Sequence, residues 1–267
     1  MDFPFHFRVG PIALQAHFVL ETLAYLAGFR VYLYLRRTTG DHIESSNRTW
    51  VIAAAIVGAA IGSKLLYWLS DPVATFHHWN DAGYLMGGKT IVGGLVGGLV
   101  AVEFVKRRLG IERRTGDLFA IPLCVGIAIG RVGCFLAGLT DDTFGLPTSL
   151  PWGIDFGDRI KRHPTQLYEI IWLVILAAWL YFISREATVH REAQKNAEFK
   201  EGRGYREGDL FKCFMVSYLG FRLIIDFIKP GIPLAGLTAI QWICLAGLLY
   251  YCRDYPYLLR LREAEAQ

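Results

Sequence analysis

Apolar residues in this chain fall in long blocks divided by short polar intervals, rather than at the spacing of a surface helix with one wet face. A span needs about 20 apolar residues to cross about 30 Å of hydrocarbon. Seven blocks approach that length: 14–35, 50–69, 90–105, 117–138, 166–184, 209–228 and 236–252. The third is short and glycine-rich. The pattern predicts an all-α, polytopic membrane protein of about seven transmembrane helices, forming one integral-membrane domain over 1–267. The first block begins too late and runs too long for a cleaved signal peptide, and no small-residue cleavage site follows it, so it reads as a retained helix.

Composition agrees with this pattern, with 53% apolar residues and a mean hydropathy of +0.32. Lys and Arg then set the orientation. The segments 36–49, 106–116, 185–208 and 253–267 hold 17 of them, against 6 in 1–13, 70–89, 139–165 and 229–235. The first set is expected in the cytoplasm, which puts the amino terminus outside, the carboxyl terminus inside, loop 139–165 outside and loop 185–208 inside. The net charge of +4 sits on the inner segments and gives no case for nucleic-acid binding. Five cysteines form no CxxC pair and seven histidines show no zinc-type spacing, so neither a metal nor a cofactor is expected.

Charges inside the blocks are the candidate chemistry, because an ionisable group within a span is costly. Arg131 follows a run without charge, from Leu118 to Gly130. Its position alone allows a guanidinium snorkelling to the headgroups or one serving a site. His17 and Glu21 lie four apart on one helix face, as a packing hydrogen bond or a catalytic pair. Gly58-Ala59-Ala60-Ile61-Gly62-Ser63 reads as a packing face. The glycine doublets around Gly93 and Gly94 either pack tightly or bring backbone N–H groups to a ligand. His163, Gln166 and Glu169 open a helix after the 139–165 loop, and Tyr218, Arg222 and Asp226 form a stripe at i, i+4 and i+8. With the spans given directions, these groups and Lys89 all fall toward the outer leaflet. Two buried arginines facing one cavity need an anion, and the abundant one in a membrane is a lipid phosphate, whose oxygens match the guanidinium fork. The residues alone allow a lipid-handling enzyme or a transporter.

Gly130-Arg131-Val132-Gly133-Cys134-Phe135, His163-Pro164-Thr165-Gln166-Leu167-Tyr168-Glu169 and Tyr218-x-x-Phe221-Arg222-x-x-x-Asp226 resemble the signature blocks of bacterial prolipoprotein diacylglyceryl transferases, in the same order. That resemblance implies a multi-pass enzyme of the bacterial inner membrane, acting at its outer face in lipoprotein biosynthesis. Such an enzyme moves the diacylglyceryl group of phosphatidylglycerol to the cysteine thiol of a prolipoprotein signal peptide and releases glycerol phosphate. It implies Arg131 and Arg222 as the essential arginines, with Gly93, Gly94, His163, Gln166, Glu169, Tyr218 and Asp226 around the substrate. Expected partners are phosphatidylglycerol, prolipoproteins and membrane lipids, with the protein a monomer. The chain also departs from the family. Val92 stands where a histidine is usual, Cys134, Ala137 and Leu139 replace two asparagines and an acidic residue, and His17 matches a tyrosine. A migrated base, His17 oriented by Glu21, is one reading of these changes; a non-catalytic phospholipid-binding or lipid-transport paralogue is the alternative.

Overall fold

The computed structural model describes residues 3–41, 43–195 and 207–252. A hairpin of β1 (His6–Val9) and β2 (Ile12–Gln15) leads into α1 (Ala16–Thr39). Then come α2 (Ser45–Ser70), the short α3 (Pro72–His77) and α4 (Ala82–Met86), α5 (Ile91–Arg108) and α6 (Asp117–Ala137). A 3₁₀ turn at Gly138–Asp141 opens a loop carrying β3 (Ile154–Asp155) and β4 (Lys161–Arg162), followed by α7 (Thr165–Lys195). After α8 (Asp209–Ile225) and a 3₁₀ turn at Asp226–Ile228, β5 (Pro233–Leu234) and β6 (Leu237–Thr238) precede α9 (Ala239–Tyr251). The seven longer helices fall on the seven apolar blocks. Among the described residues four segments, Ala16–Thr39, Ser45–Ser70, Asp117–Asp141 and Thr165–Arg185, are both long and apolar enough to cross a membrane. The sequence reading contained none of the three antiparallel hairpins, whose strands are too short for a period-2 pattern to register. Of the expected inner segments, 196–206 and the basic tail 253–267 lie outside the described residues.

Glycines draw the helices into pairs. Gly58 and Gly62 of α2 lie directly against Gly97 and Gly93 of α5, where any Cβ would collide with the facing backbone. Both glycine-rich stretches are therefore helix contacts. The other pair is α1 with α6. Gly28 sits under the carbonyl of Pro122, and Gly133 leaves only 3.3 Å between its missing Cβ and the Cα of His17. That close approach sets His17 beside the residue after Gly133. A leucine at Gly62 would have to force α2 and α5 apart. We expect Gly62→Leu to destabilise the protein by about 1–3 kcal/mol, read as a lower midpoint of thermal unfolding in detergent.

The remaining helices are anchored by polar contacts at their ends. Asp117 of α6 accepts from the backbone N–H of Gly208 at 2.7 Å and of Phe211 at 3.2 Å, fixing the start of α8. Thr238 and Gln241 form a reciprocal capping box at the start of α9. All three hairpins lie at one end of the bundle. There Leu146 N–H donates to Ile228 O at 2.7 Å, and Phe156 is buried among Phe3, Phe135 and Phe144. The core runs through α6, α7 and α8, with Leu173, Phe214, Met215 and Leu219 almost fully enclosed.

Candidate active site

Between the α1–α6 pair and the α2–α5 pair lies a cavity of about 2410 Å³, reaching from His17 and Arg131 at the hairpin end to Lys106 and Arg114 at the other. Ordinary small-molecule pockets hold roughly 300–1,000 Å³. The larger volume suits a ligand with long chains.

Beside its hairpin end the three signature stretches meet. Glu169, 2% exposed, forms an ion pair with Arg131, Nε to Oε2 at 2.9 Å, and accepts from Arg222 Nη1 at 3.2 Å on the same oxygen, while Tyr218 Oη donates to the other at 2.6 Å. Arg222 Nη2 donates to Asp226 Oδ1 at 2.9 Å, and Thr238 Oγ1 donates to Asp226 Oδ2 at 2.8 Å. The i, i+4, i+8 stripe on α8 thus faces the opening turns of α7. The two arginines do not wait on an external anion for their charge balance, as the sequence reading supposed, because Glu169 bridges them. They keep donors in reserve. Arg222 Nε is buried without a hydrogen-bond partner, and Arg131 Nη1 meets only the Cys134 thiol, at 3.7 Å. Both arginines line the cavity.

Gln166 is buried and donates to Thr143 Oγ1 at 3.3 Å, and Thr165 Oγ1 donates to Thr143 O at 2.7 Å, so the loop after α6 is tied to α7. His163 stands 3.3 Å from Tyr168 Oη, which also accepts from Trp152 Nε1 at 2.8 Å. Gly93 is buried in the α2–α5 contact, and Gly94 lines the cavity.

A second polar group continues from Arg131 across to α1. His17 Nε2 lies 3.7 Å from Glu21 Oε2, and its Nδ1 is 3.3 Å from Asp141 Oδ1. Glu21 has closer company in Lys89, with which it forms an ion pair, and in Tyr25 Oη, which donates to it at 3.1 Å. Lys64 donates to the carbonyls of Met86, Gly87 and Gly88, holding the entry to α5 against α2. Asp141, Cys134 and Lys64 line this cavity too, and no sequence motif marked them as a group. Lys229, in the loop after α8, also lines it. Burial, reinforced by the guanidiniums of Arg222 and Arg131 against the weaker pull of Glu169 and Asp226, pushes its ammonium down to about 7.

Comparison with known proteins places the whole chain among named relatives. A protein of Bordetella parapertussis named phosphatidylglycerol–prolipoprotein diacylglyceryl transferase is 28% identical over 281 residues, covering 96% of this chain and 95% of its own length. Proteins of the same name from Nitratidesulfovibrio vulgaris (strain DSM 19637 / Miyazaki F) and Cupriavidus metallidurans are each 29% identical, covering 92% and 91% of this chain and 88% of their own lengths. The model of the prolipoprotein diacylglyceryl transferase family matches residues 4–252, so this chain, with its apolar helices and its paired arginines, belongs to that family and is a membrane transferase of lipoprotein biosynthesis.

Proposed function

We propose that this chain transfers the diacylglyceryl group of phosphatidylglycerol to the thiol of a prolipoprotein cysteine, with release of glycerol phosphate. The observation that carries the reading is the Arg131–Glu169–Arg222 bridge, whose uncommitted guanidinium donors border a cavity large enough for acyl chains. In this reaction a sulfur–carbon bond forms as the bond between the glycerol carbon and the phosphate oxygen breaks, and the electron pair leaves with the phosphate. Charge grows on that phosphate in the transition state. Donors already fixed by Glu169, Tyr218 and Asp226 stabilise it without reorganising. The acceptor thiol occupies the His17 end, next to Arg131, and gives up its proton to solvent as it attacks.

On this reading the chain crosses the inner membrane seven times, with the hairpin end toward the outer leaflet and the amino terminus outside. The basic residues of 36–49 and 106–116 support this orientation. A single copy carries the full set of residues used here.

The test is incubation of the purified chain with phosphatidylglycerol vesicles and a signal peptide bearing one cysteine. The expected product is that peptide with a thioether-linked diacylglyceryl group, seen by mass spectrometry. Phospholipid binding with no such product from any anionic donor would overturn the reading and favour the lipid-binding alternative.

Lys229 supplies a pH prediction. It is cationic below about 7 and neutral above, so an anionic headgroup that favours the charged form binds best below that value. Affinity for phosphatidylglycerol should fall as pH rises through about 7, by up to about tenfold per unit. Titration of Lys229→Met should lose that slope, and an unchanged slope would assign it to another group.

A further inference from the structure

We propose that His17, Cys134 and Asp141 bind a divalent metal ion of the zinc type, which holds the acceptor thiol as a thiolate beside Arg131. A ring nitrogen of His17, the sulfur of Cys134 and a carboxylate oxygen of Asp141 all lie within 4.8 Å of one another. They come from three different elements, α1, α6 and the 3₁₀ turn that follows it. Tetrahedral zinc, with bonds of about 2.0–2.3 Å, brings its ligand atoms to about 3.3–3.8 Å apart. The present spacing needs a closure of about 1 Å, within the reach of side-chain rotation.

The orientation of the groups points the same way. His17 Nδ1 is buried and lies 3.3 Å from Asp141 Oδ1, yet it makes no hydrogen bond. The two atoms are placed to share a proton or a cation, and Asp141 Oδ2 already accepts from Thr143 Oγ1. On the far side of the ring, Nε2 lies 3.7 Å from Glu21 Oε2 and has to close by about 0.5 Å to donate to that carboxylate as a metal-binding imidazole does. One nitrogen, one sulfur and one oxygen form a borderline donor set, which suits zinc more than magnesium or calcium. All three residues line the cavity, so three protein ligands would leave a fourth position open to a substrate.

That position is useful because the transfer needs the acceptor thiol as its thiolate. An ion held by these three residues would keep a bound acceptor thiol as its thiolate, the proton passing to solvent. The thiolate pair would form the carbon–sulfur bond as the glycerol carbon–phosphate oxygen bond breaks, and the phosphate would depart toward Arg131, whose Nη1 is 3.7 Å from Cys134 Sγ. The thioether product is neutral and a poor ligand, so it leaves the ion. No electron count changes at the metal. The role given to the ion rests on the transfer reading above; the ion site itself does not.

The experiment uses the full chain without a histidine tag, stripped with a chelator in detergent and titrated with Co²⁺, then with competing Zn²⁺. Wild type should bind one Co²⁺ with a near-ultraviolet thiolate-to-cobalt absorption that Zn²⁺ abolishes. The absorption should vanish in Cys134→Ser and persist in Cys252→Ser, an exposed position at the end of α9. Asp141→Asn and His17→Gln should each weaken binding at least about tenfold, and the former keeps the thiol should Cys134→Ser fail to fold. No absorption in folded wild type, or one that survives Cys134→Ser, overturns the site. Binding accompanied by transfer that chelation leaves untouched overturns the role of the ion. Binding with no transfer under any condition leaves the site standing and removes the transfer reading instead.

Discussion

Arg222→Lys should lower the rate of thioether formation by about 10²–10³-fold, although it keeps the positive charge. Arg222 works in three directions at once. Nη1 reaches Glu169, Nη2 reaches Asp226, and Nε is left for the phosphate. One ammonium cannot span two carboxylates lying in different helices and still present a donor to a ligand. Initial rates with phosphatidylglycerol and peptide would measure the loss, with Arg107→Lys as the comparison, because Arg107 lies exposed in the last turn of α5 and should tolerate the change. Equal losses at both positions would mean that the phosphate is held elsewhere.

Glu169→Ala should destabilise the protein by about 3–5 kcal/mol, the cost of breaking a buried ion pair and leaving uncompensated charge. Here the effect falls on two guanidiniums, 5% and 4% exposed, and on the hydroxyl of Tyr218, which is fully enclosed. All three lose the same carboxylate. Thermal unfolding in detergent reads the loss directly. Added anionic phospholipid should restore more stability to Glu169→Ala than to wild type, because a lipid phosphate can then take the vacated position. A variant as stable as wild type would mean that the arginines are neutralised by something other than Glu169.

The seven longer helices were legible because apolar blocks in a membrane protein are long and uninterrupted. The Arg222–Asp226 pair was legible because four residues along a helix is nearly one turn. Glu169 was visible as a site residue, but not as the bridge between the arginines. Nothing in the spacing of residues 131, 169 and 222 sets the facing of α6, α7 and α8. His17, Cys134 and Asp141 were harder still. Metal spacing rules read ligands close in sequence, whereas this grouping depends on the α1–α6 crossing at Gly133 and on the turn after α6. The short α3 and α4 went unread inside the polar segment 70–89, where their caps, Asp71 and Asp81, do locally what an apolar block does elsewhere.

The central claim is that the guanidiniums hold a phosphate that leaves only when a thiol attacks. Glycerol phosphate release from phosphatidylglycerol, followed alongside peptide thioether in one reaction, tests it most directly. The account predicts equal amounts of the two products, no release when the peptide cysteine is replaced by serine, and parallel loss of both in Arg222→Lys. Release that proceeds without peptide, or thioether formed without glycerol phosphate, would contradict it.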